Sequence, residues 1–335
     1  MTRTAVASLT ALAAALSLTV TACAQESEPE DAETAAAETA PAEDGASTET
    51  ESAAAPEAPA SPAAQAIAAA PDEAWRTVDP DDLLVITTSH GDVWVEFAPE
   101  FAPNHVERMR TLVEQDFYDF KVWHRVIDDF MAQGGGALDN PNAAPDMPTL
   151  EAEFTIRRGP EMEISELQDR TINPRSNPAE AKAGFWNGFP AGTQPVAQAA
   201  IRADGQVESW LLHCEGAAAM ARTSEPNSAR GQFYITRSDA EHLNSIYTVW
   251  GRVRHGQEAI NSLAVGTLGQ DMGFRPDFIE DMVIASDLPE DERVTIEVMD
   301  TTSDAFAAYL DAVAQQNDGE LPDVCAIDIP TRITE

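Results

Sequence analysis

The sequence predicts a mainly β domain with flanking helices, set behind a long structureless tail. Three features predict it. Short strand-like runs recur between Leu83 and Asp300, and the best of them carries apolar residues at every second position. Stretches with helical spacing are few. Ala24–Pro71 carries no lysine or arginine and almost no large apolar residue, so it cannot bury enough surface to offset ordering entropy. The 335-residue length allows one large domain or two modest ones. The formal charge of −38, from 58 acidic against 20 basic residues, argues against nucleic acid as a partner and keeps the chain soluble by self-repulsion; a monomer is expected.

Taken in order, residues 1–22 read as a signal peptide. Arg3 supplies the positive region and "AVASLTALAAALSLTV" an apolar run too short to span a bilayer comfortably. It ends at Val20–Cys23, "VTAC", which resembles the bacterial lipobox and implies lipidation of Cys23; ordinary cleavage near Ala22–Ala24 is the alternative. Residues 23–72 read as a disordered acidic Ala/Pro/Glu tether. A flexible chain of that length would reach on the order of 40 Å, and proline and charge repulsion extend it. The folded domain should therefore stand in the periplasm, exported and held to the membrane by its lipid anchor alone.

The folded region, 73–287, opens near Trp75. "LLVITTSHGDVWVEF" predicts a hairpin, with Val93, Val95 and Phe97 alternating against Asp92, Trp94 and Glu96. Pro103 opens a helix whose Val106, Met109, Leu112 and Val113 share one face. "KVWHRVIDDFMAQGGG" reads as a strand that stops on glycine. Residues 157–212, rich in Asn, Pro and Gly, are expected to be a long, mostly irregular insertion loop with a short helix and a hairpin. "GQFYITR", "YTVWGRV", "DMVIAS" and "VTIEVMD" predict strands and "GQEAINSLAV" a helix. The extension 288–335 is expected to pack as a strand and a helix. That helix has Ser303 as N-cap, Phe306, Leu310 and Val313 on one face, and Gly319 past its end.

With Cys23 acylated, Cys214 and Cys325 remain. An exported chain meets an oxidising compartment, so either a bridge between them or two free buried thiols fits. The six histidines show no metal-ligand spacing and the cysteines no C-x-x-C, so no metal is predicted. "QGGGAL" lacks the phosphate-loop pattern, and no G-x-S-x-G elbow occurs.

Two long motifs carry a resemblance. "HRVIDDFMAQGG" is similar to the "FHRVI-x-GFM-x-QGG" signature of the cyclophilins, and "AAAMARTSEPNSARGQFYITRSDAEHLNSIYTVWGRVRHGQEAI" to the family's second block. "LEAEF" and His213…Gly216 match two shorter elements, so the resemblance covers roughly Leu83 to Ser286. It implies a closed eight-stranded antiparallel β-barrel, peptidyl-prolyl cis-trans isomerase activity on proline-containing polypeptides, and no cofactor. It implies that Arg125 reaches the substrate, that Gln133 holds Arg125, and that Phe130, Met131, Tyr234, Leu243 and Tyr247 line a proline slot. Gln232 and the main chain at Ala221 and Arg222 would grip the flanking peptide. An ion pair of Arg125 with Asp128 or Asp129 is the competing reading. Several positions depart from the pattern: Trp123 for Phe, Asp129 for the glycine before Phe-Met, Tyr234 for Phe, His242 for Trp, Tyr247 for His and Arg222 for Asn. Asp129 implies an altered turn, Tyr234 a hydroxyl at the pocket floor, and His242 weak cyclosporin binding. These departures and the insertion keep a second reading open, a non-catalytic module that holds proline-containing segments.

Overall fold

The computed structural model describes residues 60–172 and 181–334. The expected signal peptide, Cys23 and most of the expected tether lie outside the described residues. Nine strands form one antiparallel sheet, in the order Gly266–Thr267, Arg125–Ile127, Met131–Gly134, Phe233–Thr236, Ala217–Met220, Val249–His255, Gly91–Phe97, Leu83–Thr88 and Asp281–Ile284. The expectation was eight strands closing on themselves, whereas the outermost of these nine do not pair with each other. Irregular backbone bonds link the two ends instead: Ile279 N–H donates to Lys121 O (2.8 Å), the Trp123 N–H to Asp277 O (3.0 Å) and the Glu280 N–H to Thr87 O (2.9 Å).

The sheet curls around a core of Val93, Val95, Phe97, Trp123, Phe233 and Trp250. The helix Pro103–Glu114 closes it with Val106, Met109, Leu112 and Val113, all buried. Its proline occupies the first turn, where no backbone donor is missed.

Residues 157–212 are not a mostly irregular loop. They build a second antiparallel sheet, in the order Ile156–Arg158, Val207–Leu211, Phe189–Thr193, Ala181–Trp186 and Ser165–Ile172. At its centre Trp186 pairs with Phe189 across Asn187-Gly188, whose φ values of 47° and 77° make the two-residue turn that matches strand twist. The buried Arg158 ties the sheet internally: its guanidinium donates to Ser209 Oγ (2.9 Å), Thr193 Oγ1 (2.9 Å) and Met162 O (2.7 Å).

The C-terminal extension is likewise richer than one strand and one helix. Trp75–Thr77, Thr295–Met299 and Thr331–Thr334 form a third sheet, and the helix Asp304–Gln316 is capped by Ser303 Oγ, which accepts from Phe306 N. Pro62–Ala69, expected to belong to the disordered tether, is instead helical and capped by Ser61. Ala63, Ala66 and Ile67 pack on a core containing Phe306, Tyr309, Phe185 and Trp210. Small apolar residues suffice there because another helix supplies the bulk. N-terminal segment, insertion and C-terminal extension thus share one core, and a Cys214–Cys325 disulfide joins it to the barrel sheet with Cα atoms 5.0 Å apart. No helix among the described residues is long and apolar enough to cross a membrane.

A buried ionic node holds the two halves together. Glu96, on a barrel strand, accepts from Arg254 Nε at 2.6 Å and from both terminal nitrogens of Arg76 at 2.7 and 2.9 Å. Both arginines also donate to the Asn187-Gly188 turn of the insertion.

Candidate active site

The strand Arg125–Ile127 buries Val126 and leaves Arg125 and Ile127 half-exposed, as period two requires. Antiparallel pairing sets Arg125 opposite Gln133 and Ile127 opposite Met131. Next in the sheet, Tyr234 pairs with Gln133. Three neighbouring strands therefore present Arg125, Met131, Gln133 and Tyr234 to one face. The strand Ala217–Met220 leads directly into Ala221 and Arg222, and the short 3-10 turn Glu241–Leu243 brings Leu243 over them. The result is a cleft of about 140 Å³ lined by Arg125, Phe130, Met131, Gln133, Ala221, Arg222, Tyr234, Leu243 and Tyr247. Gln232 lies beside it, in an adjoining cleft of about 480 Å³ that shares Gln133, Ala221 and Arg222. Asn142, Ala143, Thr149 and Arg230 also line that second cleft; no motif in the sequence points to them, since loop residues reach it only through the fold.

Among the described residues no carboxylate pairs with Arg125. Asp128 faces Arg237 at 3.4 Å, and the one polar contact of the Arg125 guanidinium among the described residues is with Met131 Sδ at 3.8 Å. Contrary to the expectation from the motif, Gln133 does not hold Arg125. Its amide donates to Gln232 Oε1 (3.1 Å), and Gln232 Nε2 donates to Pro141 O (2.9 Å) and Ala143 O (2.8 Å). The two glutamines brace the wall between the clefts.

The departures are absorbed locally. Asp129 adopts a left-handed conformation, with φ 50°, which aspartate tolerates better than most side chains, and Asp129 O accepts from Ser238 Oγ. Arg222 donates to Ile246 O (2.8 Å) and stacks 4.2 Å over the Tyr247 ring. His242 lies against Phe130 with ring centroids 5.4 Å apart. The Tyr234 hydroxyl sits 3.0 Å from Nε2 of the buried His213, which does not line the cleft.

Fold and cleft together define a mainly β protein in which an aromatic notch adjoins an unpaired guanidinium. The family model described as cyclophilin type peptidyl-prolyl cis-trans isomerase matches residues 83–286. A probable peptidyl-prolyl cis-trans isomerase of Brucella abortus is 27% identical over 210 residues, covering 62% of this chain and 85% of that one. A peptidyl-prolyl cis-trans isomerase of Streptomyces antibioticus is 29% identical over 209 residues, 60% of this chain and 94% of that one. The solved cyclophilin AquaCyp293 from Hirschia baltica superposes with a TM-score of 0.66 at 36% identity, covering 77% of this chain and 93% of that one. The chain belongs to the cyclophilin-type peptidyl-prolyl cis-trans isomerases.

Proposed function

We propose that this isomerase assists the folding of exported polypeptides, with Arg125 stabilising the twisted X-Pro amide. A peptide bond resists rotation because nitrogen's lone pair is delocalised into the carbonyl, a barrier of about 18–20 kcal/mol. At the twisted transition state the delocalisation is lost and the prolyl nitrogen becomes a hydrogen-bond acceptor. A cation fixed beside the proline slot meets that lone pair and stabilises the twisted state more than either planar isomer. A guanidinium acts here only as a hydrogen-bond donor, so no proton need be transferred. The proline ring occupies the notch of Phe130, Met131, Leu243 and Tyr247. The observation that carries the reading is the guanidinium of Arg125, paired with no carboxylate among the described residues and lining that notch. Two of the features that kept a non-catalytic binding module open are accommodated locally: Asp129 takes up a left-handed backbone and the Tyr234 hydroxyl pairs with His213.

The test is a proline-tetrapeptide isomerisation assay. Arg125→Ala should lower kcat/KM roughly 100- to 1,000-fold, the usual loss when one donor to a developing charge is removed. Equal rates for Arg125→Ala and wild type would overturn the role. The export reading rests on the apolar leader and "VTAC": Cys23 carries lipid, the tether spaces the domain from the membrane, and uncatalysed isomerisation of exported chains, slow at tens to hundreds of seconds, is the step accelerated. Cys23→Ser should move the protein from the detergent to the aqueous phase on phase partition; an unchanged distribution would refute lipid anchoring.

A further inference from the structure

Tyr234 lines the cleft, yet its hydroxyl engages His213, which does not. The protons in this buried group follow from geometry. The backbone N–H of His213 lies 2.8 Å from Asn244 Oδ1. A backbone N–H only donates, so that Asn244 atom is the carbonyl oxygen and not the amide nitrogen. The same oxygen lies 3.3 Å from His213 Nδ1, so Nδ1 carries the ring proton and Nε2 is bare. Nε2 then accepts, and the Tyr234 hydroxyl is its donor at 3.0 Å. Asn244 directly follows Leu243, another lining residue, and its own N–H caps the short turn on Glu241 O at 3.0 Å. One imidazole therefore ties the strand that carries Tyr234 to the turn that carries Leu243.

We propose that His213 is the positioning residue of the proline notch: by taking the Tyr234 hydroxyl away from the cleft and anchoring Asn244, it fixes two walls of the slot and leaves an aromatic face towards the substrate. This rests on the isomerase reading above. Tyr234 is buried, and a buried hydroxyl needs a partner. Without His213 the ring would turn its hydroxyl towards water, which means into the cleft. That would narrow the notch and set a polar group against an apolar ring. His213 itself touches no substrate. The notch holds the proline ring similarly in planar and twisted states, so disturbing it changes uniform binding, whereas Arg125 acts on the twisted state alone.

Three measurements test this. In wild type at pH 7, ring 15N shifts should show the His213 tautomer protonated at Nδ1 and bare at Nε2; the opposite tautomer overturns the proposal. His213→Leu should raise KM for a proline tetrapeptide about ten-fold with kcat within about two-fold, as expected for a buried hydroxyl left without its acceptor. His213→Gln, whose carbonyl can accept the hydroxyl, should keep KM within about three-fold. An unchanged KM in His213→Leu, or a loss in His213→Gln equal to that in His213→Leu, overturns the role. Where His213→Leu does not fold, His213→Gln and the tautomer decide. A wild type without isomerase activity would refute the isomerase reading itself and leave the tautomer to judge the hydrogen bonds.

Discussion

Glu96 is the residue whose loss should be felt most widely. It stands on the barrel strand Gly91–Phe97, is 6% exposed, and neutralises Arg254, whose side chain is 2% exposed. Burial holds the Arg254 guanidinium below its usual range and Glu96 opposes that shift. Glu96→Ala leaves a buried cation without its counter-charge, a change that typically costs 3–5 kcal/mol. The lower end applies here. Arg76 is 24% exposed and can turn to water, and Arg254 keeps the Gly188 and Asn187 carbonyls at 2.9 and 3.3 Å. A loss of about 3 kcal/mol corresponds to a fall in Tm of roughly 6–12 °C for a unit of this size. Glu96→Gln, which keeps the shape without the charge, should fall between. Glu96→Leu combined with Arg254→Met should recover part of the loss, since removing both charges avoids an unpaired one. Thermal melts followed by circular dichroism and by tryptophan fluorescence would read all three. A loss under 1 kcal/mol for Glu96→Ala, or a double variant no better than the single, would refute the node as a joint between the barrel and the insertion.

The other predictions concern the same joints. Reducing Cys214–Cys325, which span 111 residues, should cost about 3–5 kcal/mol by the chain-entropy account, seen as a lower Tm in reductant; an unchanged melt would show that the bridge contributes nothing. Gly188→Ala should cost about 2–3 kcal/mol, because φ is 77° and the new Cβ would meet Val298 Cγ1 at 2.6 Å. Gly205→Ala, at φ 66° with open space around it, should cost only about 1 kcal/mol, so equal losses would sink the packing argument. Burial pushes the His213 imidazole down to about 4. The unfolded chain then binds the extra proton first, so His213 stabilises the fold fully above about pH 6.5 and this contribution is lost as pH falls towards 4, by about 3 kcal/mol in all. His213→Leu should flatten that limb of a stability-against-pH curve; an unchanged limb would place the titration elsewhere.

What could be read from the chain, and what could not, follows from which contacts are local. The hairpin Leu83–Phe97 was legible because alternation and a two-residue loop are local, and Val93, Val95 and Phe97 do face the core. The same alternation puts Trp94 and Glu96 in water, yet both are buried. Trp94 packs with Leu83 and Val85 of its own hairpin and with Ile296 and Val298, which the C-terminal extension brings from far away in sequence. The insertion did carry a local signal, Asn187-Gly188 between Trp186 and Phe189, obscured by the proline and glycine around it. The helix Pro62–Ala69 carried almost none, since its alanines become an apolar face only against the helix Asp304–Gln316.

The cleft was legible for a different reason. Motif order places Arg125, Phe130, Met131, Tyr234, Leu243 and Tyr247 on adjoining strands and turns, and strand pairing then leaves them little choice of direction. Side-chain partners were not legible, because a rotamer is chosen by whatever lies within hydrogen-bond reach. Gln133 takes Gln232 over Arg125, and Tyr234 takes His213 over the open notch. Both choices leave the notch apolar and the guanidinium unengaged. A substitution that looks damaging in the bare sequence, a hydroxyl at a phenylalanine position, is therefore neutralised by a histidine that no spacing rule would have joined to it.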